Sequence, residues 1–234
     1  MAPIRLDKYL TVALGISRTE AKLLIRSGNV TVEDAVARKG DQRIDTENRV
    51  ELRGERLVYK EHIYVLMNKP EGILSASTDK RVKTVVDILP ENLKRDGLFP
   101  VGRLDKNTTG LLIITDDGDF GHKVMSPKTH IEKCYRAELD GPLREEYKKV
   151  FSEGVTLADG EECLPAELIF VDTATALVKV CEGKYHQIKR MFGVVGLGVN
   201  KLHRESIGKL TLPEDLPKGE VRELTEEEIT KIFL

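Results

Sequence analysis

The stretch Gly102-Arg103-Leu104-Asp105-Lys106-Asn107-Thr108-Thr109-Gly110-Leu111-Leu112-Ile113-Ile114 sets the frame for the whole chain. Its second half, an apolar run reaching Thr115, reads as a strand buried on both faces. Its first half is a glycine-bounded loop holding one carboxylate, Asp105, with Arg103 two residues before it and Lys106 directly after. Cations beside a carboxylate favour its charged form. An ionised carboxylate that a substrate can reach is a usable nucleophile, and the same cations suit a polyanionic substrate. Taken by itself, Asp105 reads as a turn residue bonded to nearby backbone.

Outward from this stretch, Ile63 to Met67 is a second continuous apolar run fit for a buried strand, stopped by the turn chemistry of Asn68-Lys69-Pro70-Glu71-Gly72. Thr84 to Leu89 reads as a short helix ended by Pro90. Asp116-Asp117-Gly118-Asp119 turns the Leu111-to-Thr115 strand into a helical stretch reaching Ser126-Pro127. That acidic cluster lacks the alternating ligands and distal glutamate of a calcium loop. From Lys133 onward strands dominate: Lys133 to Leu139, Ala166 to Val171 and Ala176 to Val180. Helices at Leu143 to Phe151 and Gln187 to Val195 interrupt them. Thr225-Glu226-Glu227-Glu228 is a capping box that opens a terminal helix. The order predicts an α+β unit with a mixed, largely antiparallel sheet and flanking helices.

Residues 5 to about 52 form a separate small unit of helix, helix and short strands. Leu6, Tyr9, Leu10 and Ala13 recur at helical spacing. Ser17-Arg18-Thr19-Glu20 is a capping box, its helix runs through Ala21, Leu24 and Ile25, and Ser27-Gly28 closes it. Asn29 to Val32 and Arg49 to Leu52 alternate like strands, and the charged segment from Arg53 to His62 reads as the linker. The expected division is therefore 1–58 and 59–234.

The chain has 234 residues, 40% of them hydrophobic, with no tryptophan, so Leu, Ile and Val must build its cores. Charged residues make up 32% but balance to a net charge of −2, so any basic surface is local. Cys134, Cys163 and Cys181 are odd in number and widely spaced, and the five histidines show no metal-ligand spacing. No metal or other cofactor is expected. With no apolar leader core and no run approaching a membrane span, a soluble cytoplasmic protein is expected.

Arg18, Lys22 and Arg26, spaced by four, share one helix face, with Arg5 and Lys8 just upstream. They form either a solvated face or a phosphate-contacting one. Two later segments add reactive polar groups: Glu132-Lys133-Cys134-Tyr135 at a strand head, and Glu182-Gly183-Lys184-Tyr185-His186-Gln187-Ile188-Lys189-Arg190-Met191, a glycine turn opening a helix with adjacent cations.

Together these segments resemble the pseudouridine synthases. Gly102 to Asp105 with Thr108-Thr109-Gly110 is similar to their active-site segment. Asn68 to Gly72 is similar to an upstream loop, Glu132 to Tyr135 to the segment of their active-site tyrosine, and Glu182 to Met191 to that of their basic partner, all in the family's order. Residues 5 to about 52 resemble an S4 RNA-binding domain, small and α/β, and an S4 domain ahead of such a catalytic domain is the layout of the RsuA branch. Lys184 to Phe192, Leu202 to Gly208 and the ending Gly219 to Ile229 also look like that branch.

The resemblance implies isomerisation of a uridine to pseudouridine in small-subunit ribosomal RNA, on the RNA itself or the assembling subunit, by a monomer. It implies Asp105 as nucleophile, Tyr135 against the uracil as the candidate for proton abstraction, and Lys189 paired with Asp105. Arg103 would enter the RNA stack where the uridine leaves it, and Ile188 would pack against tyrosine and base. Arg5, Arg18, Lys22 and Arg26 would contact RNA. Lys189 stands where many relatives have arginine, so a point charge replaces a planar fork. The alternatives are a large-subunit RNA enzyme of the same branch, a non-catalytic S4 assembly factor, and a carboxylate-dependent hydrolase, for which no second carboxylate has a clear claim.

Overall fold

A computed structural model of the chain describes residues 3–234, which divide into two compact units, one ending at Ile63 and one running from Tyr64 to Leu234.

In the first unit, helices Leu6–Leu14 and Arg18–Arg26 follow from their apolar spacing and their caps. Gly15, at φ 66°, ends the first, and the Ser17–Glu20 capping box starts the second. Leu6, Leu10, Ala21 and Ile25 are buried against Val30, Ile44 and Val50. The two valines lie in an antiparallel sheet ordered Ala35–Val36, Val30–Val32, Val50–Leu52, Glu55–Arg56. The segment expected as a linker is therefore largely folded. Arg53 and Gly54, both at positive φ, make a two-residue hairpin turn. Beyond it, Tyr59 stacks on Tyr9 at 5.1 Å, and the Tyr9 hydroxyl donates to the Leu57 carbonyl at 3.1 Å.

The second unit is built on a nine-stranded sheet, and the architecture is α+β as expected. Its main path runs Glu167–Phe170, Thr175–Val180, Lys133–Leu139, Val199–Ile207, Thr108–Thr115, Tyr64–Lys69, Val221–Glu223. Every pairing is antiparallel except the central one, where Val199–Ile207 runs parallel to Thr108–Thr115. Gly110, at φ 106°, sits in that parallel pair, and a Cβ there would come within 2.7 Å of the Arg204 backbone nitrogen. Glycine is thus what lets the two central strands approach.

One core, on the Tyr135 side, joins Phe151, Met191 and Phe192 to Val178 and Leu202; the other joins Leu66, Leu111 and Ile113 to Val124 and Ile232. The helices Glu146–Glu153 and Gln187–Val194 serve the first core, and Gly118–Met125 and Glu226–Lys231 the second. Thr84 to Leu89 is a turn, not a helix. Its backbone is taken by a bridge to Leu74, with Val85 donating to the Leu74 carbonyl and Leu74 to that of Lys83.

The terminal helix begins at the expected capping box, and its Glu228 also accepts both ends of the Arg222 guanidinium, at 2.6 and 2.8 Å. That pairing, chiefly, pulls the carboxyl from its ordinary 4.5 to about 2. A depressed carboxylate contributes stability above its unfolded value and loses it as pH falls through the folded one. With Arg222 about a third exposed, solvent screening limits the pair to about 1 kcal/mol. Glu228→Gln is therefore expected to cost about 1 kcal/mol at pH 6 in urea unfolding, a deficit that shrinks between pH 4.5 and 2. A deficit that does not change with pH would rule this out.

Candidate active site

The Asp105 loop is held from below by a lysine. Strand Tyr64–Lys69 runs buried to its end, and Lys69 is fully buried. Its ammonium donates to the carbonyls of Pro70 (3.0 Å), Asp105 (3.3 Å), Lys106 (3.3 Å) and Thr108 (3.0 Å). Burial pushes this ammonium down to about 8, against the pull of Asp105 and Glu71. From the same side Gly72 N donates to the Lys106 carbonyl at 2.8 Å. Ser75 Oγ donates to the Leu104 carbonyl at 2.9 Å and accepts from Leu104 N at 3.1 Å. The loop backbone is thus fixed on each side of Asp105, and a positioned side chain is what a reacting group requires.

Above the loop lies the start of helix Gln187–Val194. Buried Gln187 accepts from Lys184 N at 3.0 Å and donates to Glu182 Oε1 at 2.8 Å, so the turn before the helix is tied to its first residue. Lys189 Nζ reaches Asp105 Oδ2 at 2.9 Å, and His186 Nε2 stands 3.5 Å from Oδ1. The neighbouring cations point elsewhere. Lys184 pairs with Glu161 at 3.2 Å, and Arg190 pairs with Glu161 at 2.8 Å and Asp159 at 2.5 Å. Of the adjacent cations in the sequence, Lys189 is therefore the one joined to the carboxylate.

Tyr135 enters from strand Lys133–Leu139, at a register shift between Cys134 and Tyr135 that re-aims the strand. Arg103, Asp105, Tyr135 and Ile188 line one pocket with Leu104 and Thr108. Ile188 is buried in its floor, and Arg103 is exposed. In the other unit Arg18, Lys22 and Arg26 are exposed along their helix. Arg5 is committed to buried Asp7 through two bonds of 3.0 and 2.7 Å.

Three residues were missed in the sequence: Lys69, His186 and Arg204. Arg204 is buried, donates to the Leu111 carbonyl at 2.8 Å, approaches the Tyr135 hydroxyl at 3.4 Å and leaves Nη2 without a partner. Its charge adds to the burial that lowers the nearby Lys133 ammonium. The only sequence signal for it was the stretch Leu202 to Gly208, noted for its resemblance alone.

A larger hollow of about 400 Å³ at Leu143, Glu145, Phe170 and Asp172 is lined by two carboxylates and no cation, a poor match to a polyanion. Among the described residues, no group of three or more His, Cys, Asp or Glu side chains is placed to hold a metal ion, and no helix is long and apolar enough to cross a membrane.

Residues 63–193 match the RNA pseudouridylate synthase family model, and residues 4–50 match the S4 domain. The chain belongs to the RNA pseudouridylate synthase family. A ribosomal small subunit pseudouridine synthase A of Vibrio cholerae is 43% identical over 98% of this chain and all of that protein. The Escherichia coli protein of that name is 38% identical, again over 98% of this chain and all of its own length. A crystal structure of a pseudouridylate synthase superposes with a TM-score of 0.69 at 36% identity, covering 98% of this chain and 99% of that one. As a pseudouridine synthase with an S4 domain, the chain is an RNA-modifying enzyme.

Proposed function

We propose that this enzyme converts a uridine of small-subunit ribosomal RNA into pseudouridine, acting in the cytoplasm as a single chain. The observation that carries the site assignment is the contact of Lys189 at 2.9 Å with Asp105, whose carboxylate lines the same pocket as Tyr135. The small-subunit substrate is supported by the names of full-length relatives at 38–43% identity. Since Asp105, Tyr135 and Lys189 all come from one unit of one chain, no second copy is needed to complete the set.

In this reading the target uridine leaves the RNA stack, at a cost of a few kcal/mol. Arg103, exposed at the pocket mouth, fills the gap. Asp105 acts as nucleophile as the C1′–N1 bond breaks, with Lys189 fixing the carboxylate. The freed uracil turns against Ile188 and Tyr135, and C5 displaces the Asp105 carboxylate so that the C1′–O bond breaks as the C1′–C5 bond forms. The C5 proton leaves with Tyr135 as its acceptor, and N1 gains a proton. No atom is gained or lost overall, so the residues supply all the chemistry.

Mapping pseudouridines in ribosomal RNA from cells with and without the protein tests the assignment. A position lost from small-subunit RNA is expected; a loss confined to large-subunit RNA would reassign the substrate, and no loss would remove the activity. The S4 unit is expected to act through phosphate contacts. Replacing Arg18, Lys22 and Arg26 together by alanine should flatten the slope of log affinity against log salt by about 2 for a single-stranded target. An unchanged slope would return that helix face to plain solvent exposure.

A further inference from the structure

Tyr185 is the most solvent-exposed large hydrophobic side chain among the described residues, at 77%, and no other aromatic shares that class. Its ring lies on that of His186, with centroids 3.8 Å apart and planes at 20°. The arrangement is held in place. His186 adopts the left-handed conformation, φ 50°, as the residue before helix Gln187–Val194, a geometry that non-glycine residues adopt only where their surroundings hold them in it. Arg190 donates to the Tyr185 carbonyl at 3.1 Å while anchored to Glu161 and Asp159. The inner end of the pair reaches the reacting carboxylate, since His186 Nε2 stands 3.5 Å from Asp105 Oδ1.

We propose that Tyr185 and His186 form a stacking platform for the nucleobase next to the target uridine, a proposal that rests on the enzyme reading above. Flat, exposed rings are the surface on which unstacked RNA bases are captured. A uridine drawn into the pocket leaves a neighbour whose stacking partner has gone. The platform begins at Asp105 and extends outward, so it offers that neighbour a replacement face beside the strand that enters the site. It recognises a single-stranded base by its π-face and is tolerant of which base that is.

The test uses a short single-stranded RNA with one central uridine and 2-aminopurine on either side of it. Wild-type protein is expected to quench the fluorescence on binding. Tyr185→Ala should bind about tenfold more weakly with most of the quench lost, and Tyr185→Trp should restore both. Wild-type affinity and quench in Tyr185→Ala, or no quench by the wild type, overturns the platform. On ribosomal RNA the same alanine variant should raise KM more than it lowers kcat. With an active wild type, an unchanged KM overturns the platform alone. A wild type that forms no pseudouridine overturns the enzyme reading, while the quench still decides the platform.

Discussion

Asp105→Asn is expected to leave the protein folded and able to bind RNA while pseudouridine formation falls to background, a loss of at least about 10³-fold. The substitution is isosteric and removes the negative charge that meets Lys189 at 2.9 Å. Lys189 and Asp105 are 32% and 26% exposed, so water can solvate the ammonium left behind, and stability should change by about 1 kcal/mol or less. RNA affinity should stay near wild type, because Arg103 and the S4 helix face are untouched. Tritium release from ribosomal RNA labelled at uridine C5 reads the reaction, since that hydrogen leaves as C5 bonds to C1′. Filter binding reads the affinity. Turnover within tenfold of wild type would remove Asp105 from the chemistry.

Lys69→Met should damage both fold and activity, although Lys69 touches no substrate. Methionine fills a similar volume but donates nothing to the four carbonyls now facing Lys69 Nζ. A buried acceptor stripped of its donor costs about 1–3 kcal/mol. Release of the burial penalty that pushes this ammonium down to about 8 offsets part of that. A net loss of about 3 kcal/mol is expected in urea unfolding. The carbonyls of Asp105, Lys106 and Thr108 belong to the reacting loop, so the carboxylate shifts with them. A misplacement of about 1 Å can cost about 10²-fold in rate. Wild-type kcat in the fraction that remains folded would show that the loop holds its own shape.

Which parts of this molecule were legible in sequence follows from where their physics resides. The two capping boxes and the apolar run from Leu111 to Thr115 carry their information locally and stand where expected. The segments around Asp105 and Lys189, read from local motifs, are brought to 2.9 Å of each other by the fold. The longest strand, Val199–Ile207, was not recognised. Its asparagine, lysine, histidine, arginine and glutamate hide the alternation, and its burial comes from its neighbours in the sheet. Lys69 read as turn chemistry because four carbonyls from two segments converge on it only in three dimensions. Arg204 read as one charge among several until the close approach at Gly110 buried it beneath Tyr135. Even so, the Arg53-Gly54 turn is a local signal, in a segment whose charge and single glycine read as a linker rather than a hairpin.

The parallel pairing at the sheet centre has a kinetic consequence. It joins Leu202 to Thr108 and Arg204 to Gly110, strands separated by most of the catalytic unit's length. Contacts between such distant segments form late, because the intervening chain must be closed into a loop first. The Asp105–Lys189 pair spans 84 positions across the same junction. On refolding from denaturant, secondary structure should return ahead of catalysis, and turnover should reappear only with the slowest phase, when the two halves of the sheet join.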